Sequence, residues 1–146
     1  MEWLRRFVSR RKRRVGLYVD GPNVLRKEFD TDFDEVRAAA EDEGRVTAAR
    51  LYLDEHATPD LLKAAEARGF EVVVTSGDVD VRLAVDAAAA VADGQVDVLV
   101  VVSRDTDFKP VLELAADRGI ETVAVAPGEY GRSDALRNTA QRSRTL

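Results

Sequence analysis

The most informative stretch of the chain is residues 16–23, which read GLYVDGPN. Its apolar beginning is continuous rather than alternating, and such a run is typical of a strand buried on both faces of a parallel sheet. A second run of this kind, residues 98–102 (VLVVV), leads directly into residues 103–108 (SRDTDF). Both strands therefore end in aspartate-rich turns. Because ligands of open α/β sheets bind beyond the carboxyl ends of the strands, we expect both turns at one functional edge.

The two turns bring acidic side chains to the same place. Asp20 comes from the first turn, and Asp105 and Asp107 come from the second. Carboxylates gathered in this way repel each other unless a cation neutralises them. Hard divalent ions such as Mg²⁺ or Mn²⁺ prefer oxygen ligands of this kind. The sequence therefore predicts metal-dependent chemistry.

Strands and helices alternate along the whole chain. We predict strands at 15–19, 46–53, 71–75, 96–102 and 120–125, and helices at 58–68, 79–92 and 107–118 with a short last helix at 133–140. Residues 23–43 are also predicted to be helical, either as one helix or as two with a break near residues 30–32. This alternation predicts a doubly wound α/β fold with a parallel five-stranded sheet and right-handed crossovers. We choose the strand order 3-2-1-4-5 because it makes strands one and four neighbours and places the ligand-binding switch point between them.

Length and composition exclude several classes of protein. A chain of 146 residues predicts one domain with a substantial core. The absence of cysteine excludes disulfides and thiolate metal sites, and the single histidine, His56, excludes a zinc site of the HExxH type. No apolar run approaches the roughly 20 residues of a membrane span, and Met1 leads into no secretory leader, so we expect a cytoplasmic protein. No glycine-rich phosphate loop indicates a nucleotide cofactor.

Charge is distributed unevenly along the chain. Residues 1–14 hold seven arginines and lysines against one glutamate, and residues 132–146 hold four arginines against one aspartate. Since the formal net charge is −5, the body between these ends is strongly acidic. We therefore divide the chain into a basic arm (1–14), an α/β domain (15–131) and a basic tail (132–146). Basic ends of this kind often bind polyanions.

Each acidic motif also has a purely structural interpretation. Gly21, Pro22 and Asn23 all favour turns, although this explains Asp20 less well, since it ends the strand itself. Of Ser103, Asp105 and Asp107, one is expected to cap the following helix. Three such residues after a fully apolar strand exceed what capping needs.

Two further aspartates lie on the alanine-rich helix at 79–92. Asp80 is in its first turn, where acidic residues favour the helix dipole. Asp86 has mainly apolar neighbours, so a buried carboxylate there needs a donor, a cation or a metal. Six residues on a helix correspond to a rotation of about 240°, so the two side chains cannot point the same way. We expect one of them to bind metal and the other to support the site.

Three segments together resemble the NYN domain, a branch of the PIN-like ribonuclease superfamily. They are residues 18–23 (YVDGPN), 80–86 (DVRLAVD) and 103–108 (SRDTDF), and their order and spacing match the family over about residues 15–126. The resemblance implies a Rossmann-like three-layer sandwich with the sheet order 3-2-1-4-5, and cleavage of RNA that depends on Mg²⁺ or Mn²⁺. It also implies a site made of metal ligands, Asp20, Asp80, Asp105 and Asp107, and of supporting polar residues, Asn23, Asp86 and Ser103. The basic arm lies outside the match, so its role cannot be inherited.

Other functions remain open at this point. A non-catalytic RNA-binding or adaptor module would keep the same fold, although the full set of acids argues against it. A metal-dependent phosphohydrolase of the haloacid-dehalogenase kind needs Asp-x-Asp after strand one, where residues 20–22 read DGP. A response receiver needs an acidic pair before the strand-one aspartate and a lysine after strand five, and neither is present.

RNA is the expected partner. The candidates for holding its backbone near the site are Arg26, Arg82, Arg104 and Lys109. The basic arm, whose apolar residues have helical spacing, is a further candidate for binding RNA or a protein partner. A homodimer is an assembly that the sequence leaves open.

Overall fold

The computed structural model describes residues 13–25, 32–128 and 134–146. These residues form an α/β fold around one parallel sheet of six strands. The strands are β1 (Arg14–Asp20), β2 (Arg45–Asp54), β3 (Glu71–Thr75), β4 (Val98–Val102), β5 (Glu121–Ala126) and β6 (Arg142–Thr145). The predicted arm lies almost wholly outside the described residues.

Helices connect these strands in sequence. They are α1 (Gly21–Val24), α2 (Phe33–Glu41), α3 (Pro59–Ala67), α4 (Val79–Ala92), α5 (Lys109–Asp117) and α6 (Asp134–Thr139), with a 3₁₀ turn at Thr106–Phe108. The local signals explain several boundaries: Thr58 accepts a hydrogen bond from the Leu61 amide and so caps α3, and Pro59 occupies its first position. Of the described helices, none is long and apolar enough to cross a membrane.

The strand order is β3-β2-β1-β4-β5-β6. The predicted order of the first five strands and the parallel pairing are confirmed. The predicted number of strands is wrong, because β6 pairs with β5 and adds a sixth. Sequence patterning missed this strand because Arg142–Thr145 reads RSRT, which has no apolar run.

Ion pairs hold β6 against the body in place of apolar burial. Arg142 donates to both Glu43 and Glu121, and Arg144 donates to Asp42. Burial by itself would raise the pKa of Glu121, but hydrogen bonds from Arg13 and Arg142 outweigh it and lower that pKa below its ordinary value. The carboxylate form of Glu121 is therefore stabilised in the folded protein.

Two apolar clusters sandwich the sheet. On one face, α2 and α3 pack onto the strands through Phe33, Val36 and Ala65. On the other, α4 and α5 do so through Leu83 and Leu112. All five residues of β4 are buried, which agrees with the continuous apolar pattern of a central strand. The helix layers leave the carboxyl ends of the central strands at one rim of the sheet.

Replacement of Arg142 tests whether ion pairing holds β6. We expect Arg142→Ala to lower the free energy of unfolding by about 1–2 kcal/mol, because the partly buried carboxylates of Glu43 and Glu121 lose a donor. Arg137→Ala removes a more exposed pair with Asp134 and should cost less than about 0.5 kcal/mol. Urea unfolding measures both; equal costs would contradict this account.

The loss of stability caused by Arg142→Ala is expected to depend on pH. The folded-state pKa of Glu121 is lowered. The stability that the ionised Glu121 contributes is therefore fully present above the ordinary glutamate pKa and is lost as the pH falls through the lowered value. The cost of Arg142→Ala should therefore shrink in acid.

Candidate metal centre

The pairing of β1 with β4 brings the two aspartate-rich turns together. Val19 lies opposite Val102 in the sheet, so the next residue of each strand, Asp20 and Ser103, also lie side by side. The Ser103 hydroxyl donates to Asp20 Oδ2 over 3.1 Å and accepts from the Asp105 amide over 3.0 Å. Asp20 and Ser103 are each only 2% exposed. A buried hydrogen bond therefore joins the end of β1 to the end of β4.

The turn after β1 leaves no room for a side chain at Gly21. A Cβ atom there would lie 2.4 Å from the Tyr52 carbonyl oxygen and 2.4 Å from Leu53 Cδ2. Asp20 occupies the N-cap position of α1, but its side chain makes no capping hydrogen bond. Capping alone therefore does not explain this aspartate.

The turn after β4 is held by its own aspartate. Asp105 precedes the 3₁₀ turn, and its Oδ1 accepts from the Asp107 amide over 2.9 Å. This contact is the capping role that the sequence predicts for one of the three polar residues. It also fixes the Asp105 carboxylate beside Asp107.

Three carboxylates gather at this rim of the sheet. Asp80, Asp105 and Asp107 each offer an oxygen, and these oxygens all lie within 4.8 Å of one another. Asp80 reaches the group from the first turn of α4. In an octahedral Mg²⁺ site, neighbouring ligand oxygens lie about 3 Å apart and opposite ones about 4.2 Å apart. The three side chains therefore fit a hard divalent cation after small adjustments.

The charges in this group act on each other. The negative charge of Asp105 raises the pKa of the Asp107 carboxyl, and a hydrogen bond with Asp80 raises it further. A raised pKa means that the ionised form is disfavoured by its neighbours. A bound cation would relieve this repulsion.

Asp80 and Asp105 of this group border an open cleft of about 300 Å³. Its lining includes five aspartates, Asp20, Asp54, Asp78, Asp80 and Asp105, together with Pro22, Gly77 and Val79. Asp20 lines the cleft but is not in the group of three. Asp54 was missed by the sequence analysis. Its position at the carboxyl end of β2, next to β1, was the available signal.

Asp86 lies apart from the carboxylate group. It accepts a hydrogen bond of 2.8 Å from the Tyr52 hydroxyl and one of 3.1 Å from Arg82 Nε, and Arg50 lies 3.6 Å away. The structure thus gives this carboxylate donors and cations as partners. Burial, together with the hydrogen bond to Asp86, raises the pKa of Tyr52, which stays protonated as a donor.

The remaining residues that the sequence predicts near the site differ in their positions. Asn23 belongs to α1, but its side chain lies outside the described residues, as does all of Arg26. Arg104 and Lys109 follow β4 in the chain, one before Asp105 and the other after Asp107, and Lys109 is exposed. Arg82 lies on the exposed side of α4, bonded to Asp86.

Comparison with known proteins identifies the class. The family model described as the NYN domain matches residues 14–146, so the chain belongs to the NYN domain family, as the resemblance predicts. An uncharacterized protein of Methanocaldococcus jannaschii is 40% identical over 127 residues, which cover 87% of this chain. The match covers 52% of that protein, so the chain spans about half the length of this relative.

A solved structure shares the fold. The crystal structure of a protein of unknown function from Vibrio parahaemolyticus matches with a TM-score of 0.78, over 93% of this chain and 94% of that one. The identity is 22%, so this likeness concerns the fold alone. The three-layer α/β arrangement is consistent with a PIN-like fold.

Substitution of Gly21 tests the close packing beneath the cleft. We expect Gly21→Ala to destabilise the protein by about 1–3 kcal/mol, because the added methyl group meets the backbone of Tyr52. Gly77→Ala is the matched control, since nothing lies within 4 Å of its added Cβ, and it should change stability by less than about 0.5 kcal/mol. Thermal unfolding of both variants provides the measurement. A harmless Gly21→Ala would show that the turn readily yields.

Proposed function

We propose that this protein is a divalent-metal-dependent endoribonuclease that cleaves phosphodiester bonds of RNA. The observation that carries the proposal is the group of three carboxylates at the carboxyl rim of an NYN-domain sheet. Asp80 and Asp105 of this group line an open cleft rather than a closed cavity, so a polymer can enter it without threading its end. Internal cleavage needs access of this kind.

Asp80, Asp105 and Asp107 would hold Mg²⁺ or Mn²⁺ as hard oxygen ligands. When bound, such an ion activates a water molecule and stabilises the negative charge that grows on the phosphorus oxygens. Asp20 is within the same cleft and would complete the ligand set, directly or through water. Asp54 and Asp78 add negative charge that favours a cation in the cleft.

Ser103 and Asp86 have supporting roles in this proposal. Ser103 bonds to both the Asp20 carboxylate and the Asp105 backbone amide. A displacement of one strand end would therefore also move the other. Asp86 accepts a hydrogen bond from Arg82 Nε and so holds that guanidinium on the outer side of α4. Asn23 is proposed to orient a phosphate or the attacking water, as the family resemblance implies.

RNA binding must overcome the acidic body of the protein. Arg104 and Lys109 lie next to the carboxylate group in the chain and are proposed to contact the RNA backbone. The basic arm would supply further phosphate contacts, since its charge is the opposite of that of the body.

The direct test is incubation of purified protein with single-stranded and structured RNA in Mn²⁺ or Mg²⁺, with an EDTA control. The proposal expects internal cleavage products that appear only with metal. Metal-independent binding without cleavage would favour an adaptor module. Metal-dependent release of phosphate from small phosphoesters, without RNA cleavage, would favour another phosphohydrolase.

Replacement of Asp105 separates chemistry from folding. We expect Asp105→Asn to reduce cleavage by at least about 100-fold, because a metal ligand is lost. Its amide oxygen can still accept from the Asp107 backbone, and one negative charge of the repelling group is gone. Stability without metal should therefore stay level or rise.

Asp117→Asn, an exposed substitution at the end of α5, is the matched control and should leave cleavage unchanged. Single-turnover rates and metal-free melting temperatures measure the effects. Wild-type rates in Asp105→Asn would remove Asp105 from the mechanism.

Removal of residues 1–12 tests the basic arm. This cut leaves Arg13 and Arg14 in place, which pair with Glu121 and Asp97, so the body should remain folded. The removed segment holds five basic residues, and each phosphate contact contributes a slope of roughly −0.7 to log K against log salt. We expect weaker RNA binding and a flatter salt dependence.

A full-length variant with glutamine at those five basic positions is the matched control for the apolar residues of the arm. It should bind RNA as weakly as the truncated protein. Superimposable salt plots for all three proteins would show that the arm does not contact RNA.

A further inference from the structure

Helix α4 is apolar on its outer side as well as on the side that packs on the sheet. Its buried residues are Val79, Leu83, Ala87, Ala90 and Val91. Its exposed residues are Val81, Arg82, Val85, Ala89 and Ala92, so Arg82 is the only polar one among them. A surface helix normally presents polar residues to water, and a helix that is apolar all round is normally covered on both sides. The outer side of α4 therefore has the composition of a contact surface.

The same outer side forms a groove with the neighbouring strand β3. The groove measures about 520 Å³ and lies between the end of β3, the following turn and the first half of α4. Val74, Val81 and Val85 are 50%, 56% and 59% exposed, and they are the exposed large apolar side chains of the described residues. All three line this one groove. Scattered exposed valines need no explanation, whereas these three are gathered, and extended patches of this kind mark interaction sites.

The two edges of the sheet differ in a related way. Among the described strands, β3 and β6 each have a neighbour on one side only. The β6 edge reads RSRT and carries two arginines, which is how proteins protect an edge from pairing. The β3 edge reads EVVVT, with three valines after one charged residue. The unprotected edge is the one beside the apolar groove.

We propose that the groove and the β3 edge bind a second copy of this chain, so that the protein is a two-fold symmetric homodimer. Asp78 and Arg82, the latter paired with Asp86, both line the groove, and a two-fold axis between them can bring Asp78 of each copy near Arg82 of the other. This mixed charge suits a copy of the same surface better than a polyanion. The three valines alone fall short of the roughly 800 Å² per partner of a stable interface, so the proposed contact has to extend over the β3 edge and the exposed Ala89.

This inference does not depend on the proposed catalysis. It does have a consequence for the candidate metal centre, because Gly77 and Asp78 line both the groove and the carboxylate cleft. A second copy seated in the groove would form a wall beside the cleft. The dimer would then restrict the direction from which a substrate enters.

The test is sedimentation equilibrium of the full-length protein across the micromolar range, without RNA or metal. We expect a reversible dimer in the wild type. The double variant Val81→Lys/Val85→Lys should weaken dimerisation by at least about 100-fold, since it puts four lysines into an apolar interface. Ala38→Lys is the matched control: Ala38 is exposed on α2, on the opposite face of the sheet, and its replacement should leave the dimer intact.

Circular dichroism checks that the variants are folded. If the double variant fails to fold, Val85→Ser removes apolar area without adding charge and should still weaken the dimer measurably. A wild type that is monomeric throughout the range overturns the proposal. So does a dimer that persists in the variants, since its interface must lie elsewhere. A monomeric protein whose variants lose RNA affinity would assign the groove to nucleic acid and overturn the proposal as well.

Discussion

The adjacency of β1 and β4 is the constraint on which the candidate site depends. β4 is wholly apolar, and β1 has no charged side chain between Arg14 at its start and Asp20 at its end, so both strands can occupy the centre of the sheet. Their pairing forces Asp20 and Ser103 into contact, and the resulting hydrogen bond is buried. The second turn then delivers Asp105 and Asp107, and α4 adds Asp80. Without this one pairing, the acidic motifs would have no common location.

The site also illustrates how electrostatic repulsion and rigid packing are combined. The carboxylates repel each other, as the raised pKa of Asp107 indicates, yet the surrounding backbone holds them together. The capping bond of Asp105 and the missing Cβ of Gly21 fix the turns on either side. Such an arrangement costs stability in the absence of a cation and favours its binding. Stability is supplied elsewhere, by two apolar clusters that cover both faces of the sheet.

The two edges of the sheet carry different kinds of side chains. At the β6 edge, arginines form ion pairs with Glu43, Asp42 and Glu121, so this edge carries charged side chains. At the β3 side, valines remain exposed on the strand and on α4. Between these edges lies the acidic rim with its cleft. The proposed metal-binding and self-association functions therefore occupy neighbouring surfaces of one small domain, and these surfaces meet at Gly77 and Asp78.

Much of the fold followed from local pattern. The continuous apolar runs, the helical stretches and the stop signals predicted β3 and α4 at their observed bounds and the order of five strands. β6 could not be found in this way, because its strand character comes from pairing with β5 and from ion pairs to residues about 20 and 100 positions away, Glu121 and Glu43. Long-range contacts of that kind leave no periodic signal in the segment itself.

The same distinction between local sequence and tertiary contacts applies to the candidate site. The sequence by itself determined which residues are acidic and that Asp20, Asp105 and Asp107 follow central strands, because a strand's end fixes its rim. The spacing of Asp80 and Asp86 left open which of them joins Asp105 and Asp107; the family resemblance implied Asp80, and the tertiary structure places Asp80 there. Only the tertiary structure decided that Asp86 turns instead to Tyr52 and Arg82 and that Asp54 lines the cleft. The physical reason is that side-chain direction on a helix and the neighbours of a strand end are set by packing between distant segments, which sequence spacing alone does not specify.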